Sequence, residues 1–267
     1  MLINNEFIHI RTYEVEKPKA TIVFSHGIAE HHLRYKTLID YLNESGYNVL
    51  AYDLRGHGKS GGKRGYIKSA NVYVEDLNYL IGVAKEKYNQ KVFLIGHSLG
   101  ALIGNLYLIS RSFDELNVDG VVGSGTAGNY QKASNILRYL PVNLLWFVKI
   151  KTNFKDPNLY QDPTQTINFV KDDFLLDSFY LTLIDRTMIK GMRRLKKSMS
   201  KIETPYLFVH GEDDNIIPIK SSKNLFNHIK STDKIHKVYP GLKHNILNDN
   251  KSLEVFKDIV QWLNERI

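Results

Sequence analysis

The sequence contains no cysteine among its 267 residues. That excludes disulfides, a thiolate nucleophile and any Cys-based metal site, and it suits a reducing cytoplasm, which is the expected location. Long apolar runs are also missing. No stretch approaches the ~18 continuous apolar residues of a membrane-spanning helix. The opening MLINNEFIHIRTYEVE lacks a basic segment followed by an apolar core, so no secretory signal and a soluble, unanchored chain are expected. Internal repeats, heptads and low-complexity tracts are absent. Negative charge is in deficit, with 28 Asp and Glu against 36 Lys and Arg, a net charge of +8. The imbalance is local: Gly128 to Glu203 holds 13 basic and 7 acidic residues, or +6 of the +8. This segment has no recognition-helix pattern, zinc spacing or aromatic RNA-binding motif, so no nucleic-acid partner is expected. It reads as a solvated basic surface, or as one that attracts anionic lipid or an anionic substrate.

What is present is an ordinary globular composition, 43% hydrophobic and 24% charged, in a chain long enough for a layered core. Short β-rich runs bounded by Gly or Asp (21–25, 47–52, 91–95 and 118–124) alternate with amphipathic stretches (35–45, 71–88 and 99–111). Strands that are apolar throughout, separated by helices, imply an α/β fold with a mostly parallel central sheet covered on both faces. From about Thr126 to Lys201 the alternation stops. Helical segments rich in aromatics follow one another without strands, interrupted by Pro141, Pro157 and Pro163. Strand (205–210), helix (219–229), strand (234–239) and helix (253–267) then resume. The expected organisation is one α/β core (1–125 and 202–267) with a helical cap or lid inserted at 126–201.

Gly96-His97-Ser98-Leu99-Gly100 follows an apolar strand and opens a helix. In that setting G-x-S-x-G describes a sharp turn that lifts a serine hydroxyl clear of the sheet and aims helix N-terminal N–H groups at an oxyanion. A serine nucleophile needs a base, and the base an orienting carboxylate, in the chain order Ser, acid, His. After the strand ending at His210 come Glu212, Asp213 and Asp214; after the strand ending at Tyr239 comes Gly241-Leu242-Lys243-His244. Both segments fall at C-terminal strand ends, where open α/β sheets place ligands. His244 is therefore the candidate base. Spacing favours Asp214 as the acid, with Asp213 next. Of the other histidines, His26, His57 and His97 lie in motif turns and read as structural. His9, His31, His32, His210, His228 and His236 read as surface or packing residues.

Five segments together resemble the monoacylglycerol lipase/lysophospholipase branch of the α/β-hydrolases, a group also labelled serine aminopeptidase S33-like. They are His26-Gly27-Ile28-Ala29-Glu30-His31-His32-Leu33-Arg34-Tyr35, Asp53-Leu54-Arg55-Gly56-His57-Gly58-Lys59-Ser60, the GHSLG turn, Gly211 to Asp214, and Gly241 to His244. The resemblance implies an α/β-hydrolase fold and catalytic Ser98, Asp214 and His244. It implies an oxyanion hole from the backbone N–H groups of Ile28 and Leu99, and it requires no metal or organic cofactor. The implied reaction is hydrolysis of carboxylic esters of lipids through an acyl-enzyme on Ser98. A short-chain carboxylesterase or peptidase on the same scaffold is the alternative, and a non-catalytic binding protein a more distant one. In the cap, Trp146 and Phe147 belong to an apolar stretch flanked by Arg138, Lys149 and Lys151. They are candidates for lining an acyl route, or for touching a lipid surface.

Overall fold

The computed structural model describes residues 1–153, 159–160 and 172–267. A two-residue ribbon, β1 (Leu2–Ile3) with β2 (Glu6–Phe7), precedes the main sheet. That sheet contains β3 (Ile10–Tyr13), β4 (Ala20–Ser25), β5 (Tyr47–Tyr52), β6 (Val92–His97), β7 (Gly120–Ser124), β10 (Tyr206–Gly211) and β11 (Lys234–Tyr239). Their spatial order is β11-β10-β7-β6-β4-β5-β3. All neighbours pair in parallel except β3, which runs antiparallel to β5. Strands β4, β5, β6, β7 and β10 are buried at every residue, which is why their sequences are apolar without alternation. The edge strand β11 carries Lys234, His236 and Lys237 and is only partly buried, which discourages pairing with a further strand.

Two apolar layers flank the sheet. On one face α1 (Lys36–Glu44) and α8 (Ser252–Asn264) cover Ile22, Phe24, Ile95 and Val209. In α8 the buried Val255, Phe256, Ile259, Trp262 and Leu263 form a single stripe at helical spacing. The other face holds α2 (Ala70–Tyr88), α3 (Leu99–Leu108) and, at Leu225, α7 (Ile219–His228). The Ser69 hydroxyl caps α2 by accepting from the Asn71 N–H, and Asn89 ends it in the left-handed conformation. No helix among the described residues is long and apolar enough to cross a membrane.

Between β7 and β10 lie α4 (Lys132–Leu137), strands β8 (Lys149–Lys151) and β9 (Ser178–Tyr180), α5 (Leu181–Ile184), a π-helical turn (Asp185–Gly191) and α6 (Met192–Ser198). The expectation of helices without strands is corrected here, because β8 and β9 pair antiparallel, Ile150 opposite Phe179. Each strand has three residues, too few for a period-two pattern to stand out, and 26 residues separate them. Pro157 and Pro163 fall outside the described residues. The segment docks through backbone groups: Tyr180 N–H donates to Gly65 O at 2.9 Å and Leu176 N–H to Ala29 O at 3.0 Å. A Cβ on Gly65, whose φ is +66°, would sit 2.7 Å from the Phe179 Cα, so only glycine permits this approach.

Candidate active site

The site is built at the C-terminal ends of the parallel strands. Strand β6 runs into Ser98, whose φ of 51° and ψ of −109° are strained for a residue with a side chain. The turn closes only because its neighbours are glycines. A Cβ on Gly96 would lie 2.7 Å from the Ala101 N, and one on Gly100 would lie 2.1 Å from the Ser25 O. Helix α3 begins at Leu99, so its N-terminus stands directly behind the serine.

The loop after β11 delivers His244, and the loop after β10 delivers Asp214. His244 Nδ1–H donates to Asp214 Oδ2 at 2.8 Å, and Ser98 Oγ lies 3.0 Å from His244 Nε2. With Nδ1 carrying the proton, Nε2 is the acceptor for the serine hydroxyl. Asp214 is buried, whereas Glu212 and Asp213 are exposed. Three residues distant in sequence thus form one hydrogen-bonded chain. It opens into a cavity of about 230 Å³ whose walls include Ile28, Glu30, Lys151, Phe179 and Ile216.

Asp214 is held from both sides. Its Oδ1 accepts the N–H groups of Ile216 at 2.9 Å and Ile217 at 2.8 Å. Burial works to raise its pKa, but His244 and the hydrogen bonds from His210 and His244 outweigh this and hold it well below the usual carboxylate range. At His244 burial disfavours the charged ring, and the Asp214 carboxylate wins, raising the pKa above the ordinary imidazole value. Protonated His244 cannot accept the Ser98 proton. Esterase activity is therefore expected to rise with pH through a midpoint above about 6.5, the free-histidine value. A pH series of kcat/KM on a soluble ester measures this, and a flat profile from about pH 5 to about pH 9 would exclude His244 as base.

The candidate oxyanion donors belong to the residue after Ser98 and to a residue of the same cavity wall. The Leu99 N–H opens α3, and Ile28 lines the cavity. Among the described residues neither N–H has a hydrogen-bond partner. The Ile28 loop is fixed by His26, whose Nδ1–H donates to Gly27 O at 2.7 Å while Nε2 accepts the Leu54 N–H at 2.9 Å. Burial lowers the His26 pKa to about 4, so the ring stays neutral in this role. His97 is likewise held neutral by burial, at about 4, with its Nε2–H on Asn245 Oδ1 at 3.2 Å.

One reading of the site from sequence needs revision. Trp146 and Phe147 are 58% and 61% exposed, packed edge to face on each other, and they do not line the cavity. Phe179 and Ile216 line it instead. They were not singled out because one sits in an unrecognised strand and the other two residues past Asp214. Of the histidines read as surface or packing residues, His32 and His210 are of the packing kind. His32 is buried, and its N–H and Nδ1–H both donate to Asp53 Oδ1. His210 is fully buried and touches Asp214. Its one sequence signal is its place four residues before the acid, at the end of the same strand.

Among the described residues His9, His32 and Asp53 bring possible metal-ligand atoms within 4.8 Å of one another. The Asp53 oxygens already accept three hydrogen bonds, from the N–H and Nδ1–H of His32 and the N–H of Lys59.

The family model described as "Serine aminopeptidase, S33" matches residues 16–251. The chain is 28% identical over 252 residues to a monoacylglycerol lipase of Mycolicibacterium smegmatis, covering 92% of this chain and 88% of that one. It is 26% identical to phospholipase YtpA of Bacillus subtilis, covering 92% and 95%. Among solved structures it superposes on the monoacylglycerol lipase of Paleococcus ferrophilus with a TM-score of 0.82 and 28% identity, covering 97% of this chain and 99% of that one.

Proposed function

Because this chain belongs to the serine aminopeptidase S33 family of α/β-hydrolases, we propose that it hydrolyses carboxylic esters of monoacylglycerol- or lysophospholipid-type lipids through an acyl-enzyme on Ser98. The observation that carries the reading is the continuous hydrogen-bonded chain Ser98–His244–Asp214 at the wall of the cavity. His244 Nε2 takes the hydroxyl proton as Ser98 Oγ bonds to the ester carbonyl carbon. The Ile28 and Leu99 N–H groups hold the oxyanion that forms, each donor contributing about 3 kcal/mol. The intermediate collapses as the C–O bond to the alcohol breaks and His244 protonates that alcohol. Water, deprotonated by His244, then releases the fatty acid and restores Ser98.

The relatives named for lipid esters favour this substrate class over a peptide, and so does the cavity. An aminopeptidase needs a carboxylate for the substrate ammonium. Glu30 lines the cavity, but its carboxylate already accepts from the Tyr35 hydroxyl at 2.6 Å and pairs with Arg34 at 3.4 Å. Lys151, also in the lining, adds positive charge. The decisive experiment is fluorophosphonate labelling of Ser98 combined with kcat/KM over a series of acyl-chain lengths and an aminoacyl amide. Labelling at Ser98 with a preference for long acyl chains is expected. Faster turnover of the amide, or of the shortest esters, would replace the reading.

We also assign residues 126–201 the part of a cap, in a protein acting in the cytoplasm on lipid at a surface. Leu140, Leu144, Trp146 and Phe147 are all exposed, and the Lys63 ammonium lies 5.8 Å from the Trp146 ring centre. Apolar groups beside basic ones suit peripheral contact with anionic lipid. Replacing Trp146 and Phe147 with Ser is expected to weaken sedimentation with anionic vesicles while leaving kcat/KM on a soluble butyryl ester unchanged. Lys149→Glu should weaken the same binding more at low salt than at high. Loss of activity on the soluble ester would place the two aromatics in the structural core of the cap instead.

A further inference from the structure

We propose that His210 is a positioning residue that clamps the Asp214 carboxylate in the orientation His244 requires, an inference that rests on the Ser98–His244–Asp214 reading above. His210 is the penultimate residue of strand β10, just before the turn that leads to Asp214, and its side chain is fully buried. Its Nε2 is 2.7 Å from the Ile217 carbonyl oxygen and 3.3 Å from Asp214 Oδ2. Both neighbours are acceptors, so Nε2 bears the proton, and Nδ1, buried with no partner among the described residues, is the lone-pair nitrogen. That N–H is thus hydrogen-bonded to the Ile217 carbonyl and at the same time stands 3.3 Å from the carboxylate of Asp214, three residues earlier.

The consequence is a closed circuit. Asp214 Oδ1 is held by the Ile216 and Ile217 N–H groups, and Oδ2 by His244 Nδ1–H and His210 Nε2–H. Backbone donors alone fix one oxygen and leave the other to His244. With His210 present, Oδ2 keeps its position while His244 passes its second proton between serine and leaving group. His210 is itself braced. Its ring lies parallel to that of His236 on β11, 6.4 Å between centres, and His236 Nε2 meets the Ser222 hydroxyl of α7 at 3.0 Å. The titratable or charged groups facing this arrangement include Asp214, His244 and His236, with Lys223 of α7 acting on His236, and His97 and Glu30 acting on the His244 end.

The test compares His210→Leu, which keeps the bulk and loses the donor, with His210→Gln, whose side-chain amide can offer an N–H in the same place. His210→Leu is expected to lower kcat on a soluble ester by tens of fold, the scale of a small misplacement in a catalytic array, with KM unchanged. With one donor fewer on Oδ2, more of the carboxylate charge acts on His244, so the acid limb of kcat/KM should move to higher pH. His210→Gln should restore most of kcat and return the limb to its wild-type position. Thermal unfolding checks that each variant is folded. A kcat within about twofold of wild type in His210→Leu, an acid limb that stays in place or moves down, or a Gln variant as impaired as the Leu variant overturns the proposal. Fluorophosphonate labelling of the wild-type enzyme separates the two readings. Absence of label at Ser98 defeats the hydrolytic assignment itself, whereas label at Ser98 with any of those outcomes defeats only the role of His210.

Discussion

Ser98→Ala is expected to lower ester turnover by at least on the order of 10⁴-fold while the folded state persists. The size follows from what is lost. Without the hydroxyl no acyl-enzyme forms, and what remains is the binding of the ester and the pull of two N–H groups on its carbonyl oxygen. The fold should survive because Ser98 anchors the turn by its backbone: its N–H donates to Ser124 O at 2.9 Å, and its carbonyl accepts from the Leu102 N–H at 3.0 Å. Alanine can take the same strained φ at a cost close to that of serine. Steady-state turnover of a long-chain monoacylglycerol, with thermal unfolding as control, measures both halves. More than about a tenth of wild-type activity in the variant would mean that another group is the nucleophile.

Asp214→Asn is expected to reduce kcat by roughly 10³- to 10⁴-fold. The substitution is nearly isosteric, so the loss is electronic. An amide at this position can present its NH₂ to His244, which turns the imidazole to the tautomer with Nε2 protonated and leaves Ser98 no acceptor. It also removes the charge that stabilises the imidazolium. Asp213→Asn should have a far smaller effect, because Asp213 is exposed and, among the described residues, engages others through its backbone N–H, donating to Leu242 O at 3.0 Å. The kcat of the two variants, measured side by side on a soluble ester, decides the matter. The reverse ranking would move the acid by one residue.

Much of this molecule was legible in the linear sequence, for a reason visible in the sheet. Strands β4 to β7 and β10 are buried on both faces, so each reads as an unbroken apolar run that no solvent-facing position interrupts. Among the strands that escaped, two cases are of the opposite kind. Strand β3 (IRTY) is a half-exposed antiparallel edge. The β8–β9 pair is three residues on each side, with β8 exposed throughout. Neither buries enough surface to leave a pattern, and both exist because a partner strand supplies their hydrogen bonds.

The same division runs through the candidate site. The residue types, their order and their places at strand ends follow from local requirements: glycines where a Cβ would collide, a serine at a strained turn, an acid and a histidine after late strands. Those requirements are written within a few residues of each group, so the sequence alone pointed to Ser98, to His244 and, among three neighbouring acids, to Asp214. What sets Asp214 apart physically, its burial beside two exposed neighbours, needed the fold, as did its contact with His210. So did the replacement of Trp146 and Phe147 by Phe179 and Ile216 in the cavity wall. Burial and hydrogen-bond partnership are properties of surfaces brought together from distant parts of the chain. An aromatic on the outside of a cap and one lining a cavity have the same side chain; only packing decides which one meets the substrate and which one meets the solvent.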